Sequence, residues 1–589
     1  MAGKVLDLDG ILEPDSLAYE LANTYVDWEV RRASWVKSKE EIQRYLFATD
    51  TTSTSNSKLP WKNKTTTPKL TQIRDNLFAN YMAAVFPKRK WLYWEAHDKK
   101  SGQKEKKEAA RNYIAHCIDQ PQFKSVIRRM ALDFIDYGNI FGCVEWIDNR
   151  QTLPDGTKAG FTGPMPRRLS PMDIVFNPVA ENFEDAPKII RSLITIGELA
   201  KMIDGYSSPD IDAKKVFDYV INLRNQVSQH VGSFHTKNTF LNIAGFSDYL
   251  GYLNSNYVEM LTCYGDYYDV HNKKFYQNAV VTIVDRHKII SIKTDESKLG
   301  GTQIFHTGWR IRQDSPWAMG PLDNLVGLQY RVDHLENLKA DAFDLMVAPV
   351  TKVKGLVEDF KWEPFGRIYV GDDGDVEVFP PNAEVLKANL EIQYLMSLME
   401  EMAGSPKEAA GFRTPGEKTA YEVQRLENAA NRIFFNKIIQ FEEFIEKLLN
   451  AMLEEARRKI DSQTLIRILD DELSVESFMT IMPEDLISSG RIKPIAARNF
   501  AERTERVQNL TNFYASAVGA DPSVQAHFSS IKVAKMIEDL LDLQDYELVV
   551  PFIRLSEQAE AQKLSNASEE QTMMAAQQPA GMTPDDLGE

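Results

Sequence analysis

Residues 320–346, GPLDNLVGLQYRVDHLENLKADAFDLM, decide how the chain is read. Gly320-Pro321 opens a helix with proline at an early position, where its missing N–H costs nothing. Leu325, Leu328, Val332, Leu335, Ala342 and Met346 follow at intervals averaging about 3.5, a seam suited to packing against neighbouring helices. At about 1.5 Å per residue, a helix from Pro321 to Met346 would reach about 39 Å. Pro349 breaks it. Residues 350–380 then read as two short strands, VTKVKGLV and GRIYVGDDGDVEVF, with an Asp-Gly turn signal in the second. After Pro380-Pro381 a second helix, 383–402, carries Val385, Ala388, Ile392, Leu395, Met396 and Met399 at helical spacing. The Gly-, Pro- and Ala-rich loop AGSPKEAAGFRTPGEK (403–418) leads into a long helical pattern from Thr419 to Ile460. This unbroken order describes a helical hairpin projecting from a body, with a β tip at its far end.

Upstream, residues 16–47 and 70–86 have helical periodicity, and the polar stretch TDTTSTSNSKLPWKNKTTTP (49–68) between them reads as a loop. An aromatic stretch with basic flanks, KRKWLYWEAHD, precedes a Lys-rich run (Lys99 to Lys107) whose bland reading is a solvated face, opening a helix at 106–119. A further helix, 122–137, is closed by Gly138, and NIFGCVEWID alternates like a strand. Strand signals dominate 158–195 and 256–310, so the expected fold class is α+β, with strands in small sheets. Residues 484–548 read as helical, and 560–589, with one Lys against six acids, has the composition of a disordered tail.

The chain has 589 residues, enough for two to four domains, with 43% hydrophobic and 26% charged residues. No apolar run approaches the roughly 20 residues needed to cross a bilayer. MAGKVLDLDGILEPDS lacks the basic flank and apolar stretch of a signal peptide, so the chain is expected to stay where it is made. Three widely spaced cysteines, Cys117, Cys143 and Cys263, suit a reducing compartment and read as small core residues. The net charge of −16 opposes broad, tight binding to nucleic acid, because phosphates are neutralised by Lys and Arg. It does not oppose a protein that must surround DNA without adhering to it.

No catalytic reading survives. GFRTPGEKT (411–419) approaches a phosphate-binding loop, but Glu417 stands where backbone amides should cradle phosphate, and no strand precedes it. Zinc-hydrolase, CxxC, nucleophile-elbow and dinucleotide fingerprints are all missing from the sequence. His230 and His235 read as a solvated pair, and His334 as a packing or hydrogen-bonding residue. We expect no enzyme, cofactor or metal.

Four segments resemble portal proteins, the head-to-tail connectors of tailed double-stranded DNA bacteriophages, especially short-tailed ones. They are Asp136-Tyr137-Gly138-Asn139, the run Leu169 to Pro178 (LSPMDIVFNP), Gly320 to Phe343 with the insert and helix after it, and Arg413-Thr414 through Thr419-Ala420-Tyr421-Glu422-Val423. Their order holds over roughly residues 70–510. The resemblance implies a dodecameric ring at the capsid vertex with a central channel for packaging and ejecting DNA without sequence specificity. It divides the chain into an N-terminal region and α/β wing (1–319), paired stem helices (320–346 and 382–402), a small β-containing clip (347–381), a tunnel loop (403–418), a long helix with more wing (419–483) and a helical crown (484–559). Leu325, Leu328, Val332, Leu335, Val385 and Ile392 would pack the stem. Lys352, Lys354, Asp372, Asp373 and Asp375 would form the clip docking surface, and Lys407, Arg413 and Lys418 would face DNA. The implied partners are the terminase large subunit, a tail adaptor, and the major capsid and scaffolding proteins, with no membrane. The implied location is the virion, and the host cytoplasm during assembly. The competing readings are another neck or tail ring protein of the virion and, further off, a terminase-type ATPase.

Overall fold

The first helical periodicity forms α1, Ser16–Leu46, whose Leu17, Leu21 and Tyr25 are buried. In this computed structural model the described residues are 15–86, 92–96, 104–152, 158–180, 183–184, 186–203, 211–229, 256–294, 304–313, 315–347, 350–355, 371, 374–379, 387–403, 420–460, 464–470, 475–481, 486 and 490–494. Of two compact units, Met1–Ala496 and Ala497–Glu589, only the first is described below. After α1 come α2 (Lys69–Val85), β1 (Leu92–Ala96), α3 (Lys104–Ile118) and α4 (Pro121–Asp136). The next strands are β2 (Asn139–Asp148), β3 (Gln151–Thr152), β4 (Lys158–Ala159), β5 (Thr162–Leu169), β6 (Ile174–Phe176) and β7 (Lys188–Thr195). Helices α5 (Ile196–Ile203) and α6 (Ala213–Gln229) precede β8 (Tyr257–Asp269), β9 (Lys274–Val284), β10 (Lys288–Thr294), β11 (Phe305–Gly308), β12 (Arg310–Arg312) and β13 (Ser315–Met319). Then follow α7 (Val326–Val347), β14 (Val350–Lys354), β15 (Asp375–Phe379), α8 (Ala388–Ala403), α9 (Ala420–Lys459), β16 (Thr464–Asp470), β17 (Val475–Ile481) and β18 (Gly490–Pro494). The fold class is α+β, as the periodicities imply.

Two antiparallel sheets organise the body. The larger has the order β10-β9-β8-β7-β6, and the smaller β11-β2-β5. Helix α1 lays its apolar stripe on one face of the larger sheet, against Val175, Ile189, Leu261, Cys263 and Ile283. Helices α5 and α6 cover the other face through Leu199, Ile203 and Val220, which meet Val258, Val284 and Ile290. Burial on both faces explains why these strands are so continuously apolar. Between the sheets lies an aromatic cluster, where His306 stacks on Phe141 with ring centroids 4.6 Å apart. Burial pushes the His306 imidazole down to about 3, so it is a neutral packing ring.

Several boundaries differ from the expectations. The helix expected from Gly320 begins at Val326, because the Asp323 carboxylate takes the Gly320 N–H (2.6 Å) and holds 321–325 in turns. Leu325 is therefore a turn residue, though fully buried. Of the second strand of the insert, Asp375–Phe379 is formed among the described residues, and 366–370, 372 and 373 lie outside them. The region from 484, expected to be helical, contains β18 paired antiparallel with β1: Ile492 is buried between exposed Arg491 and half-buried Lys493, as on a strand. The expected crown from residue 495 onward and the tail lie outside the described residues.

Helix α4 ends at Gly138, which has φ +70, a conformation that glycine adopts without strain. A Cβ at Gly138 would lie 2.3 Å from the Gly320 nitrogen, so two backbones meet here with no room for a side chain. Gly138→Ala should destabilise the protein by about 3 kcal/mol, from backbone strain plus overpacking. Gly327→Ala, on an open helical surface with nothing within 4 Å, should add about 0.5 kcal/mol. Urea unfolding midpoints check both, and similar behaviour of the two variants would refute the close approach.

Candidate functional site

The hairpin α7–β14–β15–α8 is rooted in polar chemistry buried inside the body. Lys39 of α1, 1% exposed at its side chain, donates to both oxygens of Asp323 at 2.5 and 2.6 Å. Burial lowers the Lys39 pKa, and the Asp323 carboxylate works against that shift. Beside them, Asn139 bridges β2 to the strand entering the hairpin. Its Nδ2 donates to the Ala318 carbonyl at 2.9 Å, and its Oδ1 accepts from the Ala318 N–H at 3.0 Å. Arg74 of α2 forks onto Asp136 at the end of α4 (2.7 and 2.9 Å). Arg32 of α1 donates to the carbonyls of Pro171, Met172 and Ile174. Two of the four segments singled out in the sequence, Asp136–Asn139 and the start of Gly320–Phe343, thus meet at one buried polar junction, and the run Leu169–Pro178 is tied to α1 by Arg32, seven residues before Lys39. Of the fourth, residues 413–419 lie outside the described residues.

The polar stretch 49–68, read as a loop, is an ordered strap. Residues 62–70 run along α7 and bond to side chains one helical turn apart. Asp341 accepts the N–H groups of Lys62 (3.0 Å) and Asn63 (2.9 Å). Asn337 accepts the Thr65 N–H (2.8 Å) and donates to the Thr65 carbonyl (2.7 Å). Asp333 accepts the Thr67 N–H (2.9 Å), and Gln329 donates to the Thr67 carbonyl (2.6 Å). The fit has a geometric cause. Two extended residues advance about 6.6 Å, and four helical residues advance about 6.0 Å, so every second strap residue meets every fourth helix residue. Where the strap enters α2, Lys69 pairs with Glu400 of α8, tying it to both helices of the hairpin.

The expected apolar seam is therefore half polar. Val332, Leu335 and Leu325 are buried and Leu328 is half-buried, but Gln329, Asp333 and Asn337 are buried as well. Met346, expected in the seam, is exposed. On α8, Ile392, Leu395 and Met399 are buried; Val385 lies outside the described residues. Both helices nevertheless present large apolar side chains to solvent, among them Phe343, Leu345, Met346 and Tyr394, with Val347 and Leu390 each 74% exposed. His334 packs its ring against Trp61 at 4.9 Å.

At the tip, β14 and β15 pair antiparallel, with Lys354 opposite Asp375 and Lys352 opposite Glu377. Lys352, Lys354 and Asp375 are all exposed, and Lys352 reaches Glu377 at 3.3 Å. Asp372 and Asp373, like Lys407, Arg413 and Lys418, lie outside the described residues, as do His230 and His235. Among the described residues no group of three or more His, Cys, Asp or Glu could hold a metal ion. None of the described helices is long and apolar enough to cross a membrane. Burial pushes the thiols up, Cys143 to about 11 and Cys117 to about 12, which holds them protonated.

Asp333 carries a testable consequence. Among the described residues its Oδ2 is buried without a hydrogen-bond partner, and burial raises its pKa to about 6, opposed by the bonds from Thr67 and Gln329. A carboxyl whose folded pKa is raised contributes stability that is complete below its unfolded value and lost as pH rises through the folded one. Between about pH 4 and pH 7, wild type should lose up to ~3 kcal/mol relative to Asp333→Asn. Urea midpoints of the two proteins across that range measure it, and parallel curves would show that Asp333 titrates normally.

No protein-family model matches the chain, and no curated protein matches it.

Proposed function

We propose that this chain is a phage portal protein: one subunit of a ring at the capsid vertex through which double-stranded DNA is packaged and later ejected. In this reading α7 and α8 are the stem, residues 347–381 the clip, 403–418 the tunnel loop, and the remaining body the wing; because β18 pairs with β1 of that body, the crown falls after residue 494. The terminase large subunit and a tail adaptor dock on the clip, and the capsid and scaffolding proteins surround the wing. Twelve copies follow the resemblance set out above.

The observation that carries the reading is the character of the hairpin. It is anchored in the body by buried charges and a hydrogen-bonded strap, yet both of its helices leave large apolar side chains in water. Large apolar side chains left in water on both helices of one hairpin mark an interaction site. Copies arranged around an axis would cover these faces against one another, with each subunit's hairpin lining the channel. The charge supports the same reading. A chain of net charge −16 repels a duplex carrying one charge per about 1.7 Å, so DNA passes without sticking, and adhesion is left to a few cations such as Lys407, Arg413 and Lys418.

Negative-stain microscopy of the purified protein should give rings of twelve with a central hole. Replacing Lys407, Arg413 and Lys418 together with Ala should leave those rings intact and reduce DNA packaged or retained in an assembly assay. A compact monomer would overturn the ring, and normal packaging by the triple variant would remove the loop cations from the mechanism.

A further inference from the structure

The ribbon β12–β13 leads directly into Gly320 at the root of the hairpin, and it carries Arg310, Ile311 and Arg312. All three side chains are exposed, Ile311 by 69%. A strand lying on a core hides alternate residues, so this one stands clear of the body on both faces. Its base is fixed. Trp309 is buried, its N–H donates to the Gly138 carbonyl at 2.8 Å, and its indole N–H donates to the Tyr81 hydroxyl at 3.0 Å.

The Trp309 ring is shared by two cations. The Arg310 guanidinium carbon lies 5.3 Å from its centroid and the Lys437 ammonium 5.0 Å. Lys437 is held in place by the Trp309 carbonyl and by Gln440 at 3.3 Å. Among the described residues, no carboxylate forms an ion pair with Arg310, Arg312 or Lys437; Asp314 lies outside them. Burial lowers the Lys437 pKa, and the nearby Arg310 adds to the same direction. In a chain with a large acidic excess, exposed cations without a carboxylate partner among the described residues are suited to an anion from outside. Guanidinium groups are suited to phosphate oxygens, which they meet with paired N–H donors.

We propose that Arg310 and Arg312, with Lys437 beside Arg310 on the Trp309 ring, form a binding site for the phosphodiester backbone of duplex DNA, made of residues other than Lys407, Arg413 and Lys418. The choice of DNA as the anion rests on the portal reading; the cation cluster does not. Contacts of this kind carry no sequence information and set position on the duplex.

The test measures binding of a fluorescein-labelled 30-base-pair duplex to the full-length protein by anisotropy, over a series of salt concentrations. The proteins compared are wild type, Arg310→Ala/Arg312→Ala, Arg312→Ala, and the Lys407/Arg413/Lys418 triple Ala variant. Two lost phosphate contacts should lower the slope of log K against log salt by about 1.8 for the double variant and about 0.9 for Arg312→Ala. An unchanged slope with normal assembly overturns the site. So does failure of the double variant to assemble like wild type, since the arginines would then serve contacts between copies. Wild type that binds no duplex at low salt overturns it as well. If only the loop variant loses binding, the portal reading stands and this site fails. If the double variant loses slope in a protein that forms no ring, the site stands without the portal.

Discussion

A buried ammonium, Lys39, is balanced by the Asp323 carboxylate, and the same carboxylate takes the Gly320 N–H. That arrangement fixes where the hairpin leaves the body. Removing either partner would strand an uncompensated charge inside the protein, which costs far more than the pair itself contributes. The neighbouring groups are set by the same constraint. Gly138 and Gly320 can approach only because neither has a side chain, and Asn139 supplies in its amide a donor and an acceptor for one residue of the entering strand. Buried polar groups need partners, and here each partner belongs to a different segment. The junction is consequently specific to one arrangement of α1, α4, β2 and the hairpin root.

The strap solves a related problem. An extended segment laid beside a helix cannot use the backbone of that helix, whose N–H and C=O groups are already paired. Side chains must take over, and they must recur at the helical pitch. Gln329, Asp333, Asn337 and Asp341 do so at intervals of four, each directed at a backbone group of the strap. The Thr-rich composition of residues 49–68 suits this role. Such residues hydrogen-bond locally and tolerate extended backbone, with little apolar surface of their own to bury.

Much of the architecture was legible in periodicity. The helices at 16–46, 69–85 and 121–136 and the strand at 139–148 fall within a residue or two of where the apolar spacing puts them. The hairpin order was legible too, since proline and glycine punctuate it. Two features were hidden for physical reasons. The strap is built from side-chain-to-backbone bonds, which leave no period in the strap's own sequence, so 49–68 reads as a polar loop. The seam of α7 was read as apolar because Gln, Asp and Asn at intervals of four count as solvent-facing residues until their partners are known. Pro321 was misleading for a simpler reason. Proline is favoured at the start of a helix and equally in turns, and the carboxylate of Asp323 decides for a turn. Of the candidate site residues, those on α7 and α8 could be weighed by their burial. The ribbon arginines carried no sequence signal beyond being charged, and only their exposure, with the Trp309 ring that Arg310 shares with Lys437, set them apart.

The strap also has a mechanical meaning. Its bonds to α7 lie along one line parallel to the helix axis, like a key seated in the slot of a shaft. A force that bends the helix away from the strap can break these bonds one at a time. A force that turns the helix about its own axis must break all of them together. Between Gln329 and Asp341, helix α7 is thus stiff in torsion while it can still yield in bending.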